Sequence, residues 1–162
     1  FFMDTKGWEI QTALNTVTTA AVIGIIGSVF WGHIDQKIGT KKTSTIFGIW
    51  YCIGILLLLV PNTAIMWIGI VMLGAGIGGN GNFPPSMTAL VFGRKDFPTA
   101  YSCLNMIVGI VRSCSFIILA ILRGLTAGYV APYVFFAVIA LIGGLMFLFV
   151  NVKVAVGNKE QN

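Results

Sequence analysis

The chain has 162 residues, 57% of them hydrophobic and 9% charged, with 10 Lys and Arg against 5 Asp and Glu for a net charge of +5. Soluble domains carry about 25% charged residues, so a mean hydropathy of +0.92 excludes a water-soluble fold and implies an integral membrane protein. The positive charges fall in the links between apolar runs, with no basic patch interleaved with aromatics, so nucleic acid is not an expected partner.

The apolar runs are helix-length and lack the alternation of barrel strands, so the expected fold is all-α. Residues 1–9 read as the end of a helix followed by an extracytoplasmic loop, with Trp8 as an interfacial anchor. The chain starts at Phe1 without an initiator Met, and we expect a fragment of a longer protein. A first span is expected over about residues 10–31. At 100° per residue, Gln11, Asn15, Thr18 and Thr19 share one face, and Ala20, Gly24, Gly27 and Ser28 fall broadly on the opposite one. The small face suits close approach of a neighbouring backbone. The polar face needs water, a ligand or interhelical hydrogen bonds, because unsatisfied polar groups are costly in lipid.

Gly32–Lys42 follows as a short, basic, turn-forming link that cannot sit in hydrocarbon. The second span, about 44–60, is almost wholly apolar, and Pro61-Asn62-Thr63 is a tight uncharged turn. The third span, about 64–92, is rich in glycine and carries Asn80 and Asn82 near its middle. Pro84 and Pro85 have no N–H for the carbonyls of Asn80 and Gly81, which predicts a helix break there. Such a break is tolerated at membrane depth where protein or a watery cavity satisfies it. A second basic loop at 93–98 leads to a fourth span, about 99–122, that contains Asn105 and Arg112. A loop from Arg123 to Pro132, a fifth nearly all-apolar span at about 133–150 and a polar tail at 153–162 complete the chain.

With five spans the loops alternate sides. One side collects Lys37, Lys41, Lys42, Arg94, Lys95, Lys153 and Lys159, and the other Lys6 and Arg123. This bias puts both basic loops and the C-terminus in the cytoplasm, in a multi-pass protein of the cell membrane.

Arg112 is the most informative residue. It lies ten to thirteen residues from the ends of its span, about 15–20 Å at the helical rise, too deep for snorkelling. A charge there costs from roughly 3 to over 10 kcal/mol before compensation. Asn105 lies two turns earlier on the same face, with Gly109 between them leaving room. Either the guanidinium binds the anionic group of a transported solute or it pairs with an acid. No Asp or Glu occurs inside any expected span, which favours the solute. Spans one, three and four have polar midsections and should line a cavity, so Asn80, Asn82, Asn15 and Thr19 join Arg112 and Asn105 as candidate solute-binding residues; spans two and five should face lipid. His33 reads as interfacial, and Trp50, Trp67, Tyr129 and Tyr133 as belt or packing residues. Cys52, Cys103 and Cys114 lie in apolar stretches without metal-ligand spacing and read as packed thiols. No cofactor or metal is expected. The chain also lacks a Gly-x-x-x-x-Gly-Lys-Ser/Thr phosphate loop and the paired acids or nucleophile of a membrane enzyme.

Gly32–Lys42 resembles the signature loop of the major facilitator superfamily, which reads Gly, three residues, Asp, a basic residue, any residue, Gly, then basic residues. Gly32, Lys37, Gly39 and Lys41 fit, while Gln36 stands at the usual Asp position and Asp35 one residue earlier. Gly78–Tyr101, with Asn-Phe-Pro-Pro and Phe-Gly-Arg-Lys-Asp-Phe, is similar to the tenth helix and following loop of the oxalate/formate-antiporter-like and related organic-anion branches. The resemblance implies that the five spans are helices eight to twelve, most of the C-terminal six-helix half, with the N-terminal half missing. It also implies secondary transport by alternating access, with Gly32, Asp35, Lys37, Gly39, Lys41 and Lys42 forming a cytoplasmic gating latch. Oxalate-type members carry basic residues on helices eight and eleven. Arg112 matches the second in kind, but span one has no cation, so a monocarboxylate-like anion fits better than a dicarboxylate. The competing readings are a carrier for a neutral or drug-like solute and a non-transporting membrane sensor or assembly subunit.

Overall fold

In hydrocarbon every backbone donor must find its acceptor within the segment, so apolar runs of this length fold as helices. The computed structural model describes residues 1–149, apart from the side chains of Asp4 and Thr5, and every regular element in that range is helical. A short α1, Phe2–Lys6, ends at Gly7 with φ 64°. It is followed by α2, Ile10–Ile38, and α3, Thr40–Leu59. The longest element is α4, Thr63–Thr126, and α5, Val130–Met146, passes into a 3-10 turn at Phe147–Phe149. Val150 of the expected fifth span, the tail at 153–162 and Lys153 and Lys159 lie outside the described residues.

Three sequence expectations need correction. Gly32–Lys42 is not a loop: α2 continues to Ile38, and the link to α3 is the single residue Gly39, at φ 84° and ψ 147°. Its N–H donates to the Asp35 carbonyl at 3.0 Å, and its own carbonyl accepts from Thr43 N–H at 3.1 Å and Thr43 Oγ1 at 3.0 Å. At 29 residues α2 is about 44 Å long, well beyond a hydrocarbon core of ~30 Å, so its charged last turns can leave the apolar layer without unwinding. Residues 32–38 therefore carry the motif on helix.

The second correction concerns the span count. Among the described residues four helices are long and apolar enough to cross a membrane, not five, because the expected third and fourth spans belong to one helical run. Its one residue with non-helical angles is Gly93, at φ 71° and ψ 179°. Met87 and Val108 line one cavity, although a straight helix would hold them about 31 Å apart. The run therefore doubles back at Gly93 into two arms, 63–92 and 94–126, and helix resumes at residue 94 where a loop at 93–98 was expected.

The third correction is that the break expected at Pro84 and Pro85 is absent. Helical angles persist through both prolines, because the ring fixes φ close to the helical value. The Pro84 carbonyl accepts from Thr88 Oγ1 at 2.7 Å. The reversal needs an angle open to glycine, and the chain places it nine residues further on.

Packing follows the small residues. Ala20, Gly24 and Ser28 recur every four positions on α2, as do Gly74, Gly78 and Asn82 on the first arm of α4. The two helices run side by side in the same direction along these rows. A Cβ on Gly74 would lie 2.8 Å from the Ala20 Cα, and one on Gly78 would overlap the Gly24 carbonyl. On the other side, α3 and α5 cross antiparallel at Gly48 and Gly144, where a Cβ on Gly144 would lie 2.8 Å from the Gly48 Cα. Trp50, read as a belt or packing residue, donates its indole N–H to the Met72 carbonyl at 2.8 Å and ties α3 to α4.

Two aromatic clusters mark the ends of the bundle. Phe2, Trp8 and Trp67 stack at one end, where Phe1 meets Phe2 and Tyr129 edge-on and lies tilted against Tyr133. Toward the other end Trp31, 1% exposed, meets Phe47, Trp50 and Phe83 edge-on at 5.0–6.0 Å.

Gly78→Leu is expected to lower the thermal unfolding midpoint of the purified protein by separating α2 from α4, at a cost of about 1–3 kcal/mol or more. Gly124→Leu, where an added Cβ meets nothing within 4 Å, serves as the neutral control. Gly39→Ala and Gly93→Ala are each expected to cost about 1–3 kcal/mol in the same measurement, because each forces an L side chain into a backbone region that essentially only glycine enters.

Candidate functional site

A series of adjoining cavities runs along α3, roofed by the second arm of α4 and flanked by α5. The first, about 390 Å³, lies among Ser44 and Phe47 of α3, Asn80, Phe83, Pro84 and Thr88 of the first arm, Leu104 and Val108 of the second arm, and Phe147. A second, about 270 Å³, shares Ser44, Phe47, Asn80 and Phe147 and reaches Tyr51, Ala140, Gly143 and Gly144. The third, about 420 Å³, continues past Tyr51 to Ile55, Ser115, Leu119, Tyr133 and Phe136. Ser44 and Phe47 lie beside Leu104 and Val108, and Ile55 beside Ser115 and Leu119, so the second arm runs in the same direction as α3.

None of the residues lining these three cavities is charged. Ser44 is 3% exposed, and its Oγ has no hydrogen-bond partner among the described residues. A buried hydroxyl in that state costs about 1–3 kcal/mol. Trp31 Nε1 and Asp35 Oδ1, one turn apart on α2, are likewise buried without partners among the described residues. Among the described residues no group of three His, Cys, Asp or Glu side chains is placed to hold a metal ion.

The candidate solute-binding residues are dispersed. Asn80 is exposed and lines the first two cavities. Arg112, Asn105, Asn82, Asn15 and Thr19 line none of the three. Asn82 points to the opposite side of the arm: its Nδ2 donates to the Ser28 carbonyl at 2.8 Å and lies 3.2 Å from Ser28 Oγ. Asn15 is exposed and accepts from Gln11 Nε2 at 3.4 Å, while Thr19 is half-buried. Arg112 and Asn105 sit in the second arm, where every residue from 102 to 114 is exposed. Arg112 and Asn105 are thus exposed and stand outside the linings of three cavities that contain no charged residue.

The latch candidates cluster at one end. Gly32 and Asp35 are half-buried on α2, Lys37 and Lys42 are exposed, and Lys41 is half-buried at the start of α3. The sequence reading missed Ser44, Phe47 and Phe83 as cavity residues. The span that holds Ser44 and Phe47 was expected to face lipid, and the serine beside two lysines gave no period-based signal of burial. Cys52 is half-buried and Cys103 and Cys114 are exposed, all three as free thiols.

The family described as Major Facilitator Superfamily matches the chain over residues 1–162. No curated protein and no solved structure matches it significantly.

Removing the Asn82 side chain is expected to expose how much the α2–α4 contact depends on it. Asn82→Ala should destabilise the protein by about 0.5–1.5 kcal/mol, the net worth of such a bond, as read from a denaturant titration in detergent. Asn80→Ala, whose side chain is exposed, should leave the midpoint unchanged, and Ser28→Ala combined with Asn82→Ala should cost less than the sum of the two changes.

Proposed function

The chain belongs to the major facilitator superfamily, whose members are membrane transporters, and on that premise we propose that it is the C-terminal half of a secondary carrier for a small organic anion. The observation that carries the reading is Arg112: a guanidinium near the middle of a spanning arm, exposed along with every neighbour from 102 to 114. Left against lipid it would cost several kcal/mol. Facing a first half across a water-filled pathway it is solvated and available to a carboxylate, with Asn105 two turns away on the same face as a neutral hydrogen-bonding partner. The exposed polar edge of α2, with Asn15 and the half-buried Thr19, would form another wall of that pathway, and Asn80 and Asn82 would lie behind it.

Alternating access then amounts to two bundles rocking about this level. The latch on the cytoplasmic side draws on Asp35, Lys37, Lys41 and Lys42, which flank the one-residue turn at Gly39. A single cation suits a monocarboxylate, since one guanidinium offers one bidentate fork. A carrier for a neutral or drug-like solute is the second reading, favoured by the uncharged lining of the cavity at Asn80.

Counterflow of radiolabelled small carboxylates into liposomes carrying the complete transporter separates these readings. Arg112→Ala is expected to abolish anion uptake, by at least a hundredfold, with expression and membrane insertion intact, and Arg112→Lys to retain a fraction of it. Undiminished uptake by Arg112→Ala would remove the binding role. Absence of flux for every solute tried, charged or neutral, would favour a sensor or assembly subunit.

A further inference from the structure

Arg112 shares one face of the second arm of α4 with Asn105, Gly109 and Phe116, at helical spacings of four, three and four residues. Helical side chains lean toward the N-terminus, so each covers the turn before its own Cα. Phe116, 71% exposed, covers the turn at Arg112, and the Arg112 stem carries its guanidinium over the turn at Gly109. The stretch between that guanidinium and the Asn105 amide would be covered by residue 109, which has no side chain. An added Cβ on Gly109 meets nothing within 4 Å, so packing among the described residues does not call for glycine there. Glycine inside a helix also costs stability relative to alanine. It leaves a strip of bare backbone between Asn105 and Arg112, whose Cα atoms lie about 10 Å apart at the helical rise.

The other polar groups along this strip are occupied. Ser102, Ser113 and Ser115 donate to the carbonyls of Pro98, Gly109 and Arg112 at 2.8, 3.1 and 2.6 Å. Asn105 and Arg112 make no hydrogen bond among the described residues. Val108 and Met106, 40% and 67% exposed, border the strip with apolar side chains.

Resting on the anion-carrier reading of Arg112, we propose that the solute is a hydroxylated aromatic monocarboxylate whose ring lies over Gly109. Its carboxylate takes the bidentate fork of Arg112, and a hydroxyl on the far side of the ring bonds the Asn105 amide. An apolar middle between two polar ends rejects a sugar acid, whose hydroxyls would lose their water along the strip without gaining partners. A short aliphatic acid reaches Arg112 alone and forgoes the Asn105 bond. A flexible chain with a terminal hydroxyl reaches both groups but must give up rotational freedom that a rigid ring does not have.

The test is counterflow in liposomes carrying the complete transporter, with 4-hydroxybenzoate, benzoate, 4-hydroxybutyrate and acetate as probes. 4-Hydroxybenzoate is expected to exchange about two- to tenfold better than benzoate, the worth of one neutral hydrogen bond, and better than either aliphatic acid. Asn105→Leu should bring that ratio to near one by lowering 4-hydroxybenzoate exchange. Gly109→Leu lays a side chain along the strip and should cut exchange of both aromatic acids at least tenfold more than that of acetate. Its unfolding temperature should match or exceed that of the parent, since leucine favours helix over glycine. A lower unfolding temperature, aromatic exchange untouched by Gly109→Leu, or a ratio untouched by Asn105→Leu would overturn the ring site. A preference for acetate or 4-hydroxybutyrate that Arg112→Ala abolishes would overturn the aromatic solute and leave the anion carrier standing. No exchange of any of the four acids would remove the anion reading itself, and this solute with it.

Discussion

Everything in this bundle is positioned by the close passage of α2 along the first arm of α4. Lipid tails are as apolar as leucine, so burying apolar side chains does little to hold membrane helices together. Attraction must come from dispersion between closely spaced atoms, and that attraction falls off steeply with a gap of even half an ångström. The rows at 20, 24, 28 and 74, 78, 82 remove the side chains that would hold the backbones apart. Once the rows engage, the register is fixed. Asn82 reaches the Ser28 carbonyl, and Trp31 closes over Gly79 and seats against Phe47 and Phe83. The polar edge at Gln11, Asn15 and Thr18 is left facing away from the bundle.

The two basic links obey a second constraint. Each is a single glycine with φ of 71–84° and an extended ψ, followed by a helix with two basic residues in its first turn, Lys41-Lys42 in one case and Arg94-Lys95 in the other. Cations at a helix N-terminus oppose its dipole and lose about 0.3–1 kcal/mol each. Local helix energetics therefore do not explain these lysines and the arginine. Their placement makes sense as a response to the membrane, where basic residues are held on one side. The glycines let the reversals be this short, which keeps the charges grouped at one end of the bundle.

Polar groups fall into two populations that the sequence does not separate. Asn82, Thr88 and Trp50 are spent on packing, each bonded to a carbonyl within the bundle. Arg112, Asn105, Asn15 and Asn80 are exposed, and Ser44 is buried without a partner among the described residues. Asn80 and Asn82, two residues apart, fall on opposite sides of this division because 200° of helix separates them. Their shared chemistry made them look like one site; their geometry assigns them to different surfaces.

Composition, the spacing of polar residues along apolar runs and the glycine-bracketed basic motif were enough to determine an all-helical membrane protein of this superfamily, the small face of α2 and the candidate status of Arg112. Those properties follow from periodicity and from the cost of polar groups in hydrocarbon, both local in the chain. Tertiary structure alone decided that Gly32–Ile38 stays helical, that the reversal falls at Gly93 instead of Pro84-Pro85, and that α3, which reads as a plain lipid-facing span, borders the internal cavities. Each of these turns on which neighbour a residue meets and on one backbone angle, and neither quantity is set by the residue types alone: proline tolerates helical φ, and only the position of the partner helix determines whether a serine is wet or buried.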